Sequence, residues 1–421
     1  MLDSCTISSS DTSDSIGTVQ QTNLQFLDER LKHHWCLGKN IILCWAEHTD
    51  GVQILLAPHY YLGNFSATLN ECSPPDRLDA LNGRFIRRLI SGSRQLSEDE
   101  FQGTARRFQL KPEVIRLPVM LAKNNVIFAA VDQYVQRYSI NYVKSRAVML
   151  FDIVDFSLVS PFEQTSQLNS LSYSLNAASK KLLDRNIDIN FSRTTTGDGY
   201  YVWSKDPSPL NNANLFYFML LVLADNAISQ SQAVGNTVPR IRTGFHIGSH
   251  FEFYQVEGVS PGMNSYIVGD VTIELARMLD QAQPGQVFVG EMDTWLPTSG
   301  REGAYLVAVD SQNFVDRISR RADFLNDLEI AGEHLEFIHC YLSGETGACA
   351  GQSVRRFRIT DKHGLSRNVY NLRINIRTST GRSFILGATA SDNRNHQQVA
   401  GLASMSWARA RPTTTVGRRD T

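Results

Sequence analysis

The stretch FDIVDFS at residues 151–157 follows directly on the apolar run AVML at 147–150. An apolar run that ends in carboxylates predicts a buried strand, then a tight turn that enters a helix. A carboxylate at the end of a buried strand is costly unless it is paired or binds a cation. Backbone N–H groups at the start of a helix favour anions. This turn is therefore a candidate site for both a divalent metal and phosphate groups.

A second stretch, TTTGDGYYV at residues 194–202, predicts a hairpin. Strands are predicted over 188–196 and 200–204, and a Gly-Asp-Gly turn between two strands is a strong hairpin signal. Alone, such a turn indicates only a hairpin. Next to the first strand, it would place Asp198 near Asp152. Two close carboxylates repel unless they share a cation, and hard oxygen ligands suit Mg²⁺ or Mn²⁺.

The region 144–377 alternates between helical and extended patterns. Mixed elements of this kind predict an α/β sandwich with an antiparallel component. Helices are predicted over 165–185, 214–230 and 268–279, and further strands over 147–151, 239–254, 286–289, 356–359 and 369–376.

The flanking regions carry no chemistry of their own. Residues 23–143 are interpreted as a smaller accessory or regulatory region, with strands at 40–45 and 52–56 around an Asp50-Gly51 turn. Ser97 begins a capping-box pattern, and a helix is predicted over 130–143. The polar stretch 1–22 is predicted to be disordered. The Arg-rich stretch 378–421 is interpreted as a mobile tail, with binding of RNA or an acidic partner as the alternative.

The composition excludes several classes of protein. The 421 residues carry a net charge of −1, so we expect no nucleic-acid partner and no attraction to anionic membranes. The apolar run at 215–224 is about half the length that spans a bilayer, and the N-terminus does not resemble a signal peptide. The six cysteines form no C-x-x-C pair, so we expect reduced thiols and a cytoplasmic protein. His246 and His250 are interpreted as packing or surface residues.

Together, the two acidic stretches resemble the class III nucleotidyl cyclases, whose first metal strand reads F-x-D-I-x-G-F-[ST] and whose hairpin reads x-G-D-x. The stretch RIRTGFHIG at 240–248 is similar to the family's strand before its nucleotide-binding loop. VGDVTIELARM at 268–278 is similar to its helix motif G-x-x-V-N-x-A-x-R-[ML], and PGQVFV at 284–289 fits the strand that follows. The resemblance covers roughly residues 145–375.

The resemblance implies roles for the matched positions. Two Mn²⁺ or Mg²⁺ ions per site would be bound by Asp152 and Asp198, with Ile153 as a further metal contact. Arg277 would stabilise charge on the reacting phosphate, or else be a surface arginine of its helix. Lys362 would reach the triphosphate, or else be a solvated loop lysine. The turn implied to bind the nucleotide consists of Phe151, Asp152, Ile153, Val154, Asp155, Phe156 and Ser157.

Two departures from the family pattern concern catalysis. The family glycine after the first aspartate is Asp155 here, which is either a third ligand or a helix N-cap; the cap is the preferred interpretation. The family asparagine that orients the ribose is replaced by Ile273. Either another group orients the ribose or turnover is slow. A catalytically silent domain that senses a nucleotide is therefore an alternative function.

Two further departures concern the base. Where adenylate and guanylate cyclases have Lys or Glu, this chain has Thr194, and where they have Asp or Cys it has Tyr266. These substitutions resemble the pyrimidine cyclases of bacterial Pycsar anti-phage systems. The substrate implied is UTP, with cyclic UMP as product, or alternatively CTP. If Tyr266 is only a packing residue, purines remain possible substrates.

The resemblance also implies partners. The family site is built across a homodimer interface, with the metals from one subunit and the base-reading residues and Arg277 from the other. The cyclic product would be read by a separate effector protein, and no membrane partner is expected.

Overall fold

The computed structural model describes residues 16–67, 75–256, 263–300, 303–346, 352–354, 356–360, 364 and 366–387. The predicted triphosphate contact Lys362 lies outside these residues. The chain divides into two compact units. The first unit comprises Met1–Arg146 with Gly248–Ile273, and the second comprises Ala147–Ile247 with Glu274–Thr421.

The first unit contains a three-stranded antiparallel sheet of β1 (Asn40–His48), β2 (Gly51–Pro58) and β3 (Glu113–Arg116). The predicted turn at Asp50-Gly51 is confirmed, since His48 pairs with Gly51. A Cβ atom at Gly51 would lie 2.2 Å from the backbone oxygen of Ile115. Glycine at this turn therefore allows β3 to approach β2.

Helices cover both faces of this small sheet. The capping box predicted at Ser97 is confirmed, because the Ser97 hydroxyl accepts from the Glu100 N–H and the Glu100 carboxylate accepts from the Ser97 N–H. The first helix begins at Thr18, so residues 18–22 of the stretch predicted to be disordered are helical. Its buried residues Leu24, Leu27 and Leu31 recur at helical spacing and anchor that first turn. The helices of this unit are α1 (Thr18–Trp35), α2 (Tyr61–Ala67), α3 (Pro75–Leu89), α4 (Glu98–Phe108) and α5 (Asn125–Arg137).

Helix α5 is followed by the long strand β4 (Ile140–Ile153). The prediction of a helix through residue 143 is therefore wrong. The segment INYV at 140–143 is rich in β-branched and aromatic residues, and these favour a strand. The Tyr142 N–H donates to the Ile90 oxygen, which commits the segment to extended structure.

One large mixed sheet, most of whose strands belong to the second unit, confirms the predicted α/β class with an antiparallel component. Its strand order is β12-β13-β17-β9-β7-β4-β6-β5, with β16 and β18 also paired to β17, and β8 to β7. The pair β7–β9 is parallel. The remaining strands are β5 (Phe191–Thr195), β6 (Gly199–Ser204), β7 (Ile241–Val256), β8 (Met263–Val268), β9 (Val287–Gly290), β10 (Asp293–Gly300), β11 (Gly303–Asp310), β12 (Glu329–Ile330), β13 (Glu333–Leu342), β14 (Gly344–Thr346), β15 (Gln352–Val354), β16 (Arg356–Thr360), β17 (Ser366–Thr378) and β18 (Ser383–Leu386).

The apolar run at 215–224 lies in a helix whose residues are buried on all sides in this core. That pattern is typical of a central core helix. Among the described residues, no helix combines the length and apolar character needed to cross a membrane. The helices that follow β4 in the chain are α6 (Pro161–Leu183), α7 (Pro209–Gln232), α8 (Asp270–Asp280) and α9 (Ser311–Arg320).

Strand β18 lies inside the stretch 378–421 that was interpreted as a mobile tail. It pairs with β17 from Leu386↔Ile374 to Ser383↔Arg377. A turn at Gly381, with φ of 85°, reverses the chain between the two strands. Glycine permits this left-handed conformation, so a short polar stretch can return an apolar segment to the sheet.

Candidate active site

Strand β4 ends at the first acidic stretch, and β6 lies beside it in antiparallel register. Asp152 pairs with Gly199, the residue that follows Asp198. The Ile153 N–H donates to the Asp198 oxygen over 2.9 Å. The turn between β5 and β6 is therefore fixed to the end of β4, and this brings the two predicted metal-binding aspartates together.

Glycine at position 199 makes this approach possible. A Cβ atom there would lie 1.9 Å from the backbone oxygen of Phe151, which is a severe clash. The turn also carries Gly197 with φ of 101°, a conformation that side chains disfavour. The Thr196 hydroxyl donates to the Asp198 Oδ1 over 3.2 Å and orients that carboxylate. Both glycines of the sequence motif thus serve the placement of Asp198.

The carboxylate of Asp152 is largely buried, and several charged groups act on it. Burial raises its pKa above the usual range. The Arg242 guanidinium opposes this rise, while Asp198 and Asp280 add to it. The Arg242 Nε donates to the Asp152 Oδ2 over 2.6 Å, and the Arg242 Nη1 donates to the Ala282 oxygen over 3.2 Å. One arginine and two further carboxylates therefore act on the Asp152 carboxylate.

Sequence reasoning missed both Arg242 and Asp280. Arg242 lies on β7, the neighbour of β4 in the sheet, so its contact with Asp152 depends on strand order. Asp280 ends helix α8. Its influence extends to Tyr201, whose pKa is raised to about 12 by burial and then by Asp280. The one signal for Asp280 in the sequence was its position one helical turn after the predicted catalytic Arg277.

The turn after Asp152 differs from its predicted form. The Val154 N–H donates to the Arg240 oxygen over 2.9 Å, so this amide and that of Ile153 are engaged within the protein. Residues Phe156–Leu158 form a short 3₁₀ helix. The backbone N–H groups of Asp155, Phe156 and Ser157 lie where a helix start lacks intrahelical acceptors. They are the stronger candidates in this turn for contact with phosphate.

The preferred interpretation of Asp155 as a helix N-cap is wrong. Its side chain makes no cap hydrogen bond, and its φ of 59° is left-handed. Its Oδ2 instead accepts from the Arg240 Nη2 over 2.8 Å in an exposed ion pair. Aspartate tolerates this conformation better than most residues, which explains how it can stand where the resembled family has glycine. The helix that follows is capped by Ser160 and Glu163.

The predicted base-reading residues lie in different units. Thr194 is half-buried on β5 of the second unit and pairs with Tyr201. Tyr266 is on β8 of the first unit, where its ring stacks on Phe253 with centroids 6.1 Å apart. Arg193, the neighbour of Thr194 on β5, donates to the Ser172 Oγ over 2.9 Å. Tyr266 therefore has a packing contact of its own.

Helix α8 carries the remaining predicted groups. Arg277 is half-buried there, and Ile273 is 43% exposed at the family asparagine position. Glu274, between them, accepts from the buried His246 over 2.6 Å and is also paired with Arg367. Burial lowers the pKa of His246 to about 4, and Arg367 acts in the same direction. The neutral imidazole is thus a packing and hydrogen-bonding group, which confirms the interpretation of His246.

The donor set at the end of β4 fits a divalent cation with an open coordination shell. Asp152 and Asp198 offer hard carboxylate oxygens, and the Ile153 carbonyl follows on the same turn. The protein side chains at this site number only two, and within the described residues no set of three or more His, Cys, Asp or Glu side chains is arranged to hold a metal ion. The two aspartates would leave several coordination positions to phosphate oxygens and water, which is how proteins commonly bind Mg²⁺.

Comparisons with known proteins return only structural likenesses. No family model matches the chain, and no curated protein matches it either. The guanylate cyclase domain of RhGC from Catenaria anguillulae, solved with GTP, is 17% identical, with coverage of 41% of this chain and 98% of that one and a TM-score of 0.29. The adenylyl cyclase CyaB from P. aeruginosa is 15% identical, with coverage of 56% and 95% and a TM-score of 0.31. At these values, the assignment of a function depends on the residues of this chain.

Proposed function

We propose that the chain is a nucleotidyl cyclase that converts a nucleoside triphosphate into a 3′,5′-cyclic monophosphate and pyrophosphate. The observation that carries the proposal is the junction of Asp152 and Asp198 at the paired ends of β4 and β6. Two neighbouring carboxylates beside a turn whose 155–157 N–H groups begin a short helix suit a metal-bound triphosphate.

The reaction needs charge neutralisation and alignment more than covalent chemistry. The ribose 3′-oxygen bonds to the α-phosphorus, the bond from that phosphorus to the bridging oxygen breaks, and the 3′-hydroxyl proton passes to solvent. Bound Mn²⁺ or Mg²⁺ supplies Lewis acidity and neutralises the pyrophosphate that leaves. The chain's own part is to hold the two aspartates, to donate from the 155–157 amides and to place Arg277 and Lys362 on the phosphates.

The finer proposal is that the base is a pyrimidine, with UTP preferred over CTP. Its support is the neutral Thr194 and the aromatic Tyr266 at the two base positions of the resembled family. The stacking of Tyr266 on Phe253 favours the alternative, in which Tyr266 is a packing residue and purines bind. The proposed product is a second messenger of anti-phage defence, read by a separate effector.

The test is incubation of the chain with all four ribonucleoside triphosphates and Mn²⁺, followed by separation of the products by mass. Cyclic UMP or cyclic CMP is expected. A cyclic purine nucleotide would retain the cyclase and overturn the pyrimidine assignment. Nucleotide binding without any cyclic product would favour the silent sensor, for which the exposed Ile273 at the ribose-orienting position is the supporting observation.

The proposed assembly is a homodimer with sites shared between subunits, as in the family that the chain resembles. Arg277→Ala and Asp152→Ala proteins should each be inactive. In mixed dimers one site receives intact groups from both subunits, and activity should return to part of the wild-type level. Absence of recovery in proven heterodimers would contradict the shared site.

A further inference from the structure

Arg242 is fixed on two sides at the end of β4. Its Nε donates to the Asp152 Oδ2 over 2.6 Å, and its Nη1 donates to the Ala282 oxygen over 3.2 Å. The side chain is 30% exposed and that of Asp152 is 16% exposed. Such a partly enclosed, charge-assisted bond is shorter and stronger than a neutral hydrogen bond. Arg242 therefore determines where the Asp152 carboxylate lies before any cation binds.

The charges around Arg242 do not balance. One guanidinium faces the carboxylate of Asp152, and the carboxylates of Asp198 and Asp280 act on that same group. Counted over Asp152, Arg242, Asp198 and Asp280 alone, three carboxylates and one guanidinium give a formal excess of two negative charges. A divalent cation would neutralise that excess, but Arg242 repels the cation and occupies one oxygen of Asp152.

We propose that Arg242 is a positioning residue, which holds the Asp152 carboxylate in its productive orientation and lowers the affinity of the site for the cation. This inference rests on the proposed function, because it concerns the same metal site. It gives Arg242 two opposite effects. Removal of its charge strengthens cation binding through reduced repulsion, and loss of its hydrogen bond slows turnover through misplacement of Asp152.

The test uses Arg242→Gln in the full chain, with Mn²⁺ alone as the probe. Binding is measured by the electron paramagnetic resonance signal of free Mn²⁺, and turnover by cyclic product at saturating Mn²⁺. We expect the variant to bind Mn²⁺ about three- to tenfold more tightly and to turn over about tenfold more slowly or worse. A merely structural role would not move the two quantities in opposite directions.

Two further variants control the experiment. Arg242→Lys keeps the charge, so Mn²⁺ affinity should return to within about twofold of the wild type while turnover recovers only in part. Arg377→Gln removes a strand arginine whose Nε pairs with Glu336 over 2.8 Å at an exposed position. It should change neither Mn²⁺ affinity nor turnover.

The outcomes separate this inference from the proposed function. Weaker Mn²⁺ binding in Arg242→Gln, or unchanged turnover, overturns the role of Arg242. If the wild-type chain binds Mn²⁺ but forms no cyclic product, the proposed cyclase function fails. Tighter Mn²⁺ binding in Arg242→Gln would in that case still support the effect of Arg242 on cation affinity. Wild-type Mn²⁺ binding that is absent, or that survives Asp198→Asn, overturns both the metal site and the inference.

Discussion

Strands β4 and β7 supply an arginine–carboxylate pair to each unit, and the two pairs differ in their surroundings. In the first unit, Arg146 of β4 donates to Glu252 of β7 over 2.8 Å, with side chains 3% and 11% exposed. In the second, the polarity is reversed, with Asp152 on β4 and Arg242 on β7, and the pair is more exposed. The first pair is almost fully buried, whereas the added carboxylates of Asp198 and Asp280 act on the second pair.

His250 lies beside the first pair and adds no charge to it. Arg146 donates to the His250 Nε2 over 3.2 Å, which requires a ring nitrogen without a proton. Burial and the Arg146 charge lower the pKa of His250 to about 3, so it adds no charge near neutral pH. The same pairing of strands thus holds a buried ion pair in the first unit, and in the second unit an ion pair beside further carboxylates, where it can serve chemistry.

The largest expected effect is on turnover. Asp198→Asn keeps the size and the turn of the hairpin but removes one of the two carboxylates that would bind the cation. Since metal ions supply several kcal/mol of charge stabilisation, we expect cyclic product formation to fall by about 10³-fold or more. The melting temperature should stay within a few degrees of the wild type. Wild-type rates in this variant would contradict the assignment of the metal site.

The next effect distinguishes the two ion pairs by stability. Arg146→Met removes the guanidinium that pairs with the buried Glu252, so the free energy of unfolding should fall by about 3–5 kcal/mol. Arg242→Met breaks a more exposed pair and should cost about 1 kcal/mol or less. Chemical denaturation of both variants measures the difference. The double variant Arg146→Met/Glu252→Leu should recover most of the lost stability. Equal losses of stability at the two pairs would contradict the difference proposed between them.

A smaller effect concerns pH and the first pair. His250 is neutral when folded, with its pKa lowered to about 3, whereas the unfolded value is about 6.5. Its contribution to stability is therefore present above pH 6.5 and is lost as the pH falls toward 3. The slope should reach about 1.4 kcal/mol per pH unit.

His250→Gln removes this titration, so its stability should depend less steeply on pH between 4 and 6.5 than that of the wild type. The exposed His339 provides the matched control, and His339→Gln should retain the wild-type slope. An unchanged slope in His250→Gln would show that the pKa of this histidine is not lowered in the folded chain.

The smallest effect is expected at the outermost carboxylate. Asp280 is exposed at the end of α8 and acts on Asp152 through space, so solvent screens its charge. Asp280→Asn should weaken Mn²⁺ binding by about two- to fivefold, equivalent to 1 kcal/mol or less. Tighter binding in this variant would contradict the excess of negative charge that distinguishes the second pair from the first.

Local sequence signals predicted the features that depend on neighbouring residues. The turn at Gly51, the cap at Ser97 and the hairpin at Gly197–Gly199 follow from backbone preferences that residues a few positions apart determine. The proximity of Asp152 and Asp198 is predictable on the assumption that the two acidic stretches form adjacent strands. The sheet order β4-β6-β5 is consistent with that assumption.

Features that depend on distant packing could not be predicted in this way. The pairing of Arg242 with Asp152 requires β7 to lie beside β4, and no local pattern specifies that order. The N-cap assigned to Asp155 failed because its left-handed backbone and its partner Arg240, 85 positions away, are set by tertiary structure. The extended form of residues 140–143 differs from these cases, because its β-branched and aromatic side chains are a local signal for a strand, which the contact with Ile90 then fixes.

The most direct test of the central claim is the stoichiometry of products from UTP and Mn²⁺ with the wild-type chain. We expect cyclic UMP and pyrophosphate in equal amounts, and neither product with Asp198→Asn. If no base among the four triphosphates gives this one-to-one yield, and the chain instead releases orthophosphate or leaves the triphosphates intact, the assignment of Asp152 and Asp198 to a cyclase site is contradicted.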